Sequence, residues 1–441
     1  MLAVAEEDVP RFYQDFYSFL SSAGIDSVKT DAQFFLDELE NATDRRNLIR
    51  TYQDAWIINS LRYFSAKAIS CMSQIPQILF HSQMPSNKPR LLVRNSDDFF
   101  PEVPASHPWH IFCNAYNSLF TQHLNVLPDW DMFQTSHPWA SFHAAARCVS
   151  GGPIYITDVP GKHNVELIHQ MTAKTPRGDT VILRPHTVGK TIEAYTGYDE
   201  HVLLKIGTYV GMARTGTGIL GIFNVSQRSL TEMIRLGQFP GTEEGTYIIR
   251  SHNTGQISEP VNRNDHFSFV QVEIPIQGWE ILSAYPMRTF ELERKEPAAG
   301  PASVSVSNLG LLGKMTGAAA VVNMDMYIEK SSGRLKVWTS LKALGIYGEF
   351  KPPFFLLSIF SPMLNYMLNL WYLGLYVSDL SDRSLKDDFM ALLFGRPIPL
   401  HCVKVNDQSP NVLEIDVVRA WKESDSKASW SNEVAIEIVI R

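Results

Sequence analysis

The feature that most constrains the fold is an apolar stretch that ends abruptly in a polar cluster. Residues 91–93 have the composition of a buried strand, and Arg94-Asn95-Ser96-Asp97-Asp98 follows them at once. A second stretch has the same form, because Val28 leads directly into Lys29-Thr30-Asp31. Parallel α/β folds place their chemistry at the carboxyl ends of strands. The two stretches therefore predict acidic strand ends that serve one site.

Two carboxylates at strand ends are typical of glycoside cleavage, in which one attacks the sugar and the other protonates the leaving oxygen. The alternative interpretation is that acidic residues at strand ends only cap the helices that follow. Taken alone, these two stretches leave both interpretations open.

Strand–helix units recur through the first part of the chain. The spacing of Phe12, Phe16 and Phe19 predicts an opening helix. Five strand-like segments follow, at 24–31, 68–73, 91–96, 124–131 and 147–158. Repeated units of this kind indicate a parallel sheet or barrel, and five are too few for a complete eight-stranded barrel.

The pattern changes after about residue 177. Short β-rich segments separated by Gly, Asn and Pro turns predict a mostly antiparallel region that continues to Arg441, with one helical stretch near 227–236. The sequence Gly216-Thr217-Gly218-Ile219-Leu220-Gly221 matches a dinucleotide fingerprint, but it leads into a β-type run and not into a helix. We therefore interpret it as part of a hairpin, and we predict no cofactor.

Composition and charge exclude several partners. The net charge of −7 and the lack of a basic block argue against nucleic acid. The four cysteines lack metal-type spacing, and the pair His107 and His110 is too short a motif to define a metal site, so no metal is predicted. Free thiols and a start without a signal peptide predict a cytoplasmic protein.

One stretch fits neither region. No charged residue occurs between Lys351 and Asp379, a length that would allow a membrane span. Pro362, Asn365 and Asn369 weaken that interpretation, so a membrane partner is not expected. Leu344-Gly345-Ile346-Tyr347 is nearly repeated as Leu373-Gly374-Leu375-Tyr376, which favours an insertion at about 346–374.

Several motifs together resemble one family. The segments 96–100, 105–111, 127–133 and 144–158 are similar to the raffinose synthase and seed-imbibition-protein (alkaline α-galactosidase) group of glycoside hydrolase family 36. The resemblance is nearly continuous from about residue 8 to about residue 300. It implies the second half of a (β/α)8 TIM barrel over residues 1–177 and an antiparallel β-sandwich over residues 178–441.

The resemblance also implies roles for individual residues. Asp31 is the expected nucleophile, and Asp98, four residues after Arg94, is the expected general acid/base, with Asp97 as the fallback. The expected substrate contacts are Lys29, Cys71, Arg94, Asp97, Asp129, Trp130 and Asp131.

These roles imply a retaining mechanism, which needs the two carboxyl groups about 5–5.5 Å apart. The cation of Lys29, two residues before Asp31 on the same strand face, is expected to keep Asp31 ionised. The neighbouring Asp97 and partial burial are expected to favour the protonated form of Asp98.

The implied substrates are α-1,6-galactosides such as raffinose, or galactinol as donor with sucrose as acceptor. The motifs do not separate transfer from hydrolysis, and the alternative is a catalytically incomplete carbohydrate-binding or regulatory relative. The family's earlier strands have no counterpart here, so we expect an N-terminally truncated chain with an open half-barrel. Its exposed edge beside Val28–Asp31 should make the chain poorly soluble and nearly inactive.

Overall fold

The computed structural model describes residues 3–81, 89–212, 216–265, 268–292, 302–344 and 372–441. The α-helices in these ranges are α1 (Val9–Ser22), α2 (Ala42–Phe64), α3 (Pro76–His81), α4 (Ser106–Thr121), α5 (Ala140–Ser150), α6 (Val165–Met171) and α7 (Val417–Glu423). The strands of the first part are β1 (Val28–Thr30), β2 (Ala68–Ser70), β3 (Leu91–Arg94), β4 (Val126–Asp129), β5 (Thr172–Lys174) and β6 (Thr180–Ile182).

The later strands are β7 (Lys190–Thr191), β8 (Leu204–Val210), β9 (Thr217–Phe223), β10 (Leu230–Arg235), β11 (Thr246–Ser251), β12 (Val261–Asn262), β13 (Phe269–Ile274), β14 (Trp279–Pro286), β15 (Arg288–Leu292), β16 (Ala302–Leu311), β17 (Val321–Glu329), β18 (Arg334–Leu341), β19 (Tyr372–Val377), β20 (Phe389–Leu393), β21 (Arg396–Pro397), β22 (Val403–Val405), β23 (Val412–Asp416) and β24 (Val434–Ile440).

A parallel sheet organises the first part of the chain. Strands β1, β2, β3 and β4 pair in that order, and every pairing is parallel. Helices lie between successive strands, as parallel connections require. One face of the sheet packs on these helices through a cluster that includes Trp56, Phe64, Leu91 and Val93. Side chains at alternate positions therefore lie on the opposite face of the sheet.

The predicted fifth strand at 147–158 is wrong for most of its length. Residues 147–150 form the last turn of α5, and Ile156 makes only an isolated parallel bridge to Phe133. Nearly every side chain of α5 is buried, so its apolar run reflects a helix buried on all sides and not a strand.

Antiparallel sheets form the second part. One has six strands in the order β12-β11-β14-β9-β8-β7, and two have five strands, in the orders β15-β16-β19-β23-β22 and β17-β18-β24-β20-β21. Inward side chains of the two five-stranded sheets share one cluster, for example Val306 and Leu413 with Val337 and Ile438. The proposed boundary at residue 177 falls in the turn of the hairpin β5–β6.

The helix predicted near 227–236 is wrong. Residues Leu230–Arg235 form β10, which pairs antiparallel with β13. The exposed Thr231, Met233 and Arg235 alternate with more buried neighbours, which is the period of a strand. The hairpin interpretation of the glycine-rich stretch is confirmed, because residues 217–223 form β9 and pair antiparallel with β8.

The uncharged stretch lies largely outside the described residues, which resume at Tyr372 with β19. The described part of the proposed insertion at 346–374 is therefore the start of β19, which pairs with β16 and β23. Among the helices within the described ranges, none combines the length and the apolar character that a membrane crossing requires.

Within the described residues β1 pairs with β2 alone and lies at one side of the parallel sheet. The nearby helix α1 buries Tyr13 and Tyr17 but leaves Phe12, Phe16 and Phe19 between 47% and 66% exposed. These three rings form an apolar stripe on the surface of the structure.

Candidate active site

The register of the parallel sheet brings four of the predicted site residues into one row. Thr30 pairs with Ser70, Ser70 with Val93, and Arg94 with Asp129. The next positions along each strand place Asp31 beside Cys71 and Cys71 beside Arg94. The ladder continues into this row, because Cys71 N donates to Thr30 O across 2.9 Å. Asp31, Cys71, Arg94 and Asp129 thus lie side by side at the carboxyl ends of β1 to β4.

The buried carboxylate of Asp131 connects these strands. Its Oδ2 accepts a hydrogen bond from Phe99 N at 2.7 Å and forms an ion pair with Arg94 Nη2 at 2.8 Å. Its Oδ1 lies 3.1 Å from the hydroxyl of Tyr155 and 3.4 Å from Lys29 Nζ. Asp131 therefore links groups that come from β1, from β3 and from the segment after α5.

The ionisation of Asp131 follows from these contacts. Burial opposes its charged form, but the Arg94 guanidinium and the N–H groups of Phe99 and Met132 outweigh burial, so the pKa of Asp131 is lowered. The pKa of Asp129 is raised, because burial outweighs its hydrogen bond from Tyr155 and the charge of Arg94. One carboxylate is thus stabilised as an anion beside a second that ionises less readily.

Asp131 also has an unusual backbone conformation. Its φ of 65° lies in the left-handed region, which is uncommon for residues other than glycine. Its own N–H donates to Asp129 Oδ1 across 3.0 Å, and its carbonyl accepts from the buried Arg147 Nε across 3.2 Å. The surrounding structure therefore fixes the strained backbone that aims the carboxylate into the cluster.

Buried histidines surround Arg147, and two of them continue a chain of hydrogen bonds in which each residue donates to the next. A guanidinium can only donate, so Arg147 Nη1 donates to His143 Nδ1 at 2.7 Å, and His143 Nε2 then donates to His107 Nδ1 at 2.8 Å. His107 Nε2 lies 3.3 Å from the Pro101 carbonyl, which accepts its proton. His110 Nε2 lies 3.1 Å from Arg147 Nη2 and 3.1 Å from the Trp130 carbonyl. His107, His110 and His143 are therefore hydrogen-bonded core residues.

Tyr155 and Arg147 were not identified as site residues from the sequence. Tyr155 donates to Asp129 Oδ2 at 2.9 Å, and it reaches this position because Gly152 passes against β4. A Cβ at Gly152 would lie 2.0 Å from Pro128 O, so only glycine fits there. In the sequence, the pair Gly151-Gly152 before an apolar run is the signal of this close approach. Its effect on the position of Tyr155 is visible only in the tertiary structure.

The two candidates for the general acid lie in different surroundings. Arg94 Nη2 binds the Asp98 carboxylate at 2.8 Å, whereas it contacts Asp97 only at the backbone carbonyl, 2.9 Å away. Burial raises the pKa of Cys113 on α4 to about 11, and the Asp97 carboxylate contributes a smaller part of this rise. The expected partial burial of Asp98 is wrong, because its side chain is 67% exposed on the loop after β3.

Asp31 and Cys71 lie next to each other at the ends of β1 and β2. Burial raises the pKa of the Cys71 thiol to about 11, while Lys29 and Arg94 lower it and a hydrogen bond with Asp31 raises it further. Asp31 is exposed at the end of β1, and its Oδ1 accepts from the N–H of Ala32 at 2.9 Å. The strands β1 and β3 lie two spacings apart, roughly 9–10 Å, so Asp31 and Asp98 approach each other only through their side chains.

Trp130 does not lie with the other predicted contacts. It is fully buried, and its Nε1 donates to Ser118 Oγ on α4 across 3.3 Å. Successive residues of a strand alternate between faces, so Asp129 on the site face at the end of β4 places Trp130, the next residue, on the helix side. The prediction that Trp130 contacts substrate is therefore wrong, and its ring belongs to the core.

The fold and the site together define an α/β protein with a charged polar cluster at the carboxyl ends of parallel strands. Arg94 and Lys29 already compensate the buried Asp131, which leaves hydrogen-bonding groups suited to a polyhydroxylated ligand more than to a metal ion. The buried Arg94 Nε has no hydrogen-bond partner among the described residues.

Comparison with known proteins identifies the family. Residues 2–267 match the family described as raffinose synthase or seed imbibition protein Sip1, and the chain belongs to this family. It is 31% identical over 367 residues to the probable galactinol–sucrose galactosyltransferase 6 of Arabidopsis thaliana, covering 79% of this chain and 46% of that protein. It is 36% identical over 268 residues to the probable galactinol–sucrose galactosyltransferase 1 of the same plant, covering 59% of this chain and 32% of that protein.

The chain spans less than half the length of these relatives. Among solved structures, the α-galactosidase of Saccharomyces cerevisiae with raffinose is 11% identical, with a TM-score of 0.42, and the match covers 61% of this chain and 74% of that one. This structural likeness is too low to define the fold of the chain.

Proposed function

We propose that the chain carries the catalytic carboxylates of a retaining enzyme that acts on α-galactosides. The observation that carries the proposal is the shared row of Asp31, Cys71, Arg94 and Asp129 at the carboxyl ends of four parallel strands. The relatives named as galactinol–sucrose galactosyltransferases support a galactosyl substrate. Lys29, Arg94 and Asp131 would then bind sugar hydroxyls beside the reacting carbon.

In the proposed first step, the Asp31 carboxylate attacks the anomeric carbon of the galactosyl group. The bond to the leaving oxygen breaks as Asp98 gives that oxygen its proton, and a galactosyl ester on Asp31 forms. In the second step Asp98 takes a proton from water or from a sugar hydroxyl, whose oxygen attacks the anomeric carbon and releases Asp31.

The structure favours Asp98 over Asp97 for the acid/base role. Arg94, in the row of strand ends, binds the carboxylate of Asp98 but only the backbone of Asp97. Because Asp98 lies on a loop and Arg94 on a strand, the ion pair can orient the Asp98 carboxylate from the strand.

The experiment is incubation of the 441-residue chain with galactinol, with and without sucrose, followed by separation of the products. Raffinose that appears faster than free galactose would identify a transferase, and free galactose in both mixtures would identify a hydrolase. We expect hydrolysis to supply a substantial share. A curated relative assayed in parallel is the positive control. Because the 441-residue chain is expected to be nearly inactive, the assay is repeated on a version extended upstream to the length of the relatives, and neither product from that version would contradict the enzymatic proposal.

A second candidate function is carbohydrate binding without turnover. It is favoured by the exposure of Asp98, because general acids in glycosidases commonly lie in apolar surroundings and this side chain is 67% exposed. Calorimetric titration with galactinol separates the two functions. Saturable binding without galactose or raffinose would support the binding protein, and turnover would reject it.

A further inference from the structure

Three side chains with different donor atoms converge in the antiparallel part of the chain, outside the carboxylate cluster. The ligand atoms of His401, Cys402 and Glu423 all lie within 4.8 Å of one another. His401 and Cys402 belong to one short 3-10 turn, and Glu423 is the last residue of α7. The three donors therefore come from two separate segments that the fold brings together.

The carboxylate of Glu423 is divided between two kinds of partner. Its Oε1 accepts from Arg419 Nε at 2.8 Å, one helical turn earlier on α7. Its Oε2 lies 2.6 Å from His401 Nε2 and 3.9 Å from Cys402 Sγ. Arg419 thus fixes the orientation of the carboxylate, as groups behind metal ligands commonly do.

The exposures of the three residues suit an ion that enters from solvent. Cys402 is 2% exposed, whereas the side chains of His401 and Glu423 are 51% and 36% exposed. A buried thiolate beside a carboxylate is unfavourable because the two like charges repel in a region of low dielectric. A divalent cation between them would reverse that repulsion.

We propose that His401, Cys402 and Glu423 bind a divalent transition metal, with zinc as the best match and water as the fourth ligand. One imidazole, one thiolate and one carboxylate form a donor set that zinc accepts in tetrahedral geometry. Ligand atoms around zinc lie roughly 3.3–3.7 Å apart. His401 and Glu423 therefore separate slightly and Cys402 moves closer, which the exposed imidazole and carboxylate permit.

The site would tie the 3-10 turn to the end of α7 and is independent of the proposed carbohydrate function. The sequence did not indicate it, because His401 and Cys402 are adjacent and the third ligand is 21 residues away, unlike the spacings of common zinc motifs.

The test uses cobalt as a spectroscopic substitute for zinc in the whole chain. Titration with Co²⁺ should produce the near-ultraviolet charge-transfer band of a cobalt–thiolate bond at one ion per chain, and added Zn²⁺ should remove it. Cys402→Ser should abolish the band, while the matched variant Cys113→Ser, which removes a half-buried thiol elsewhere, should retain it. Arg419→Gln should weaken zinc binding by about tenfold or more.

A second measurement uses the unmodified chain, so it does not depend on the folding of a variant. Zn²⁺ should slow the alkylation of Cys402 by iodoacetamide, followed by peptide mapping, and leave the rate at Cys113 unchanged. Equal rates at Cys402 with and without zinc would overturn the proposal. A cobalt band that survives in Cys402→Ser would overturn it as well.

Discussion

Arg147 donates a hydrogen bond from Nε to the backbone carbonyl of Asp131 across 3.2 Å. It also binds the carbonyl of Met132 at 3.1 Å, and it is 1% exposed. Burial lowers the pKa of its guanidinium to about 10, although the charge of Asp131 acts in the opposite direction. A buried cation thus holds the strained backbone of the residue whose carboxylate connects the strand ends.

The first prediction concerns Arg147 as a positioning residue. Arg147→Lys keeps the charge, but a lysine ammonium cannot replace the planar guanidinium, which contacts two backbone carbonyls and two histidines. We expect kcat/KM on an aryl α-galactoside to fall by about tenfold to a hundredfold, because Asp131 shifts relative to the sugar hydroxyls that it is proposed to bind. The exposed Arg62→Lys is the control, and unchanged kcat/KM in Arg147→Lys would contradict the role.

The second prediction compares the two carboxylates that share Arg94. Asp131→Asn leaves the buried guanidinium without its buried partner, so the free energy of unfolding should fall by about 3 kcal/mol or more. Asn tolerates a positive φ, so backbone strain changes little. Asp98→Asn removes the exposed partner and should cost less than about 1 kcal/mol. Denaturant unfolding of both variants measures the difference, and equal losses would contradict the account.

The third prediction concerns the effect of the buried histidines on stability at low pH. Burial lowers the pKa of His107 to about 4 and that of His110 to about 3, from an ordinary value of 6.5. Both are neutral when folded, and the unfolded chain binds protons below pH 6.5. The free energy of unfolding should therefore fall as the pH drops from about 6.5 towards 4, by up to about 1.4 kcal/mol per pH unit for each histidine.

His107→Gln tests this dependence. The difference in unfolding free energy between pH 7 and pH 5 should shrink relative to the unmodified chain, because one histidine no longer takes up a proton on unfolding. The exposed His123→Gln is the matched control and should leave the difference unchanged. A His107→Gln protein with the full pH dependence would show that this group does not control acid stability.

The fourth prediction separates the two proposed catalytic roles. In a version extended upstream to the length of the relatives, Asp31→Ala should abolish turnover, and azide should restore none of it on the natural linkage. Asp98→Ala should lose activity on raffinose but keep activity on substrates with good leaving groups, because only protonation is lost. Asp26→Ala, at the exposed amino-terminal end of the same strand, is the control. Full activity of Asp31→Ala on raffinose would refute the assignment.

The row of strand ends could be predicted from the sequence because it depends on local rules. A short apolar run that ends in a charged residue defines both a strand and its end, and parallel pairing brings such ends to one edge. Once Val93 and Arg94 are placed, the alternation of side chains decides which residues face the site. Asp31 and Arg94 follow from this reasoning, whereas Cys71 and Asp129 were expected from the family resemblance.

The parts that could not be predicted depend on contacts between distant segments. Trp130 lies between two site residues in the sequence, but alternation places its ring against α4. The last turn of α5, residues 147–150, was predicted as part of a strand because all of its side chains are buried. Arg147 and Tyr155 act through residues that precede them by 16 and 24 positions, and no local pattern reveals such a partnership.

The most direct test of the central claim, that Asp31 forms a galactosyl ester, is to trap that ester. The Asp98→Ala variant of the upstream-extended version would be incubated with an aryl α-galactoside that has a good leaving group, quenched in acid, digested and analysed by mass spectrometry. Without Asp98 the ester should accumulate, because no base activates the attacking water. The account predicts one added hexose on the peptide that contains Asp31, and none after Asp31→Ala. Hexose on another carboxylate, or on no peptide at all, would contradict it.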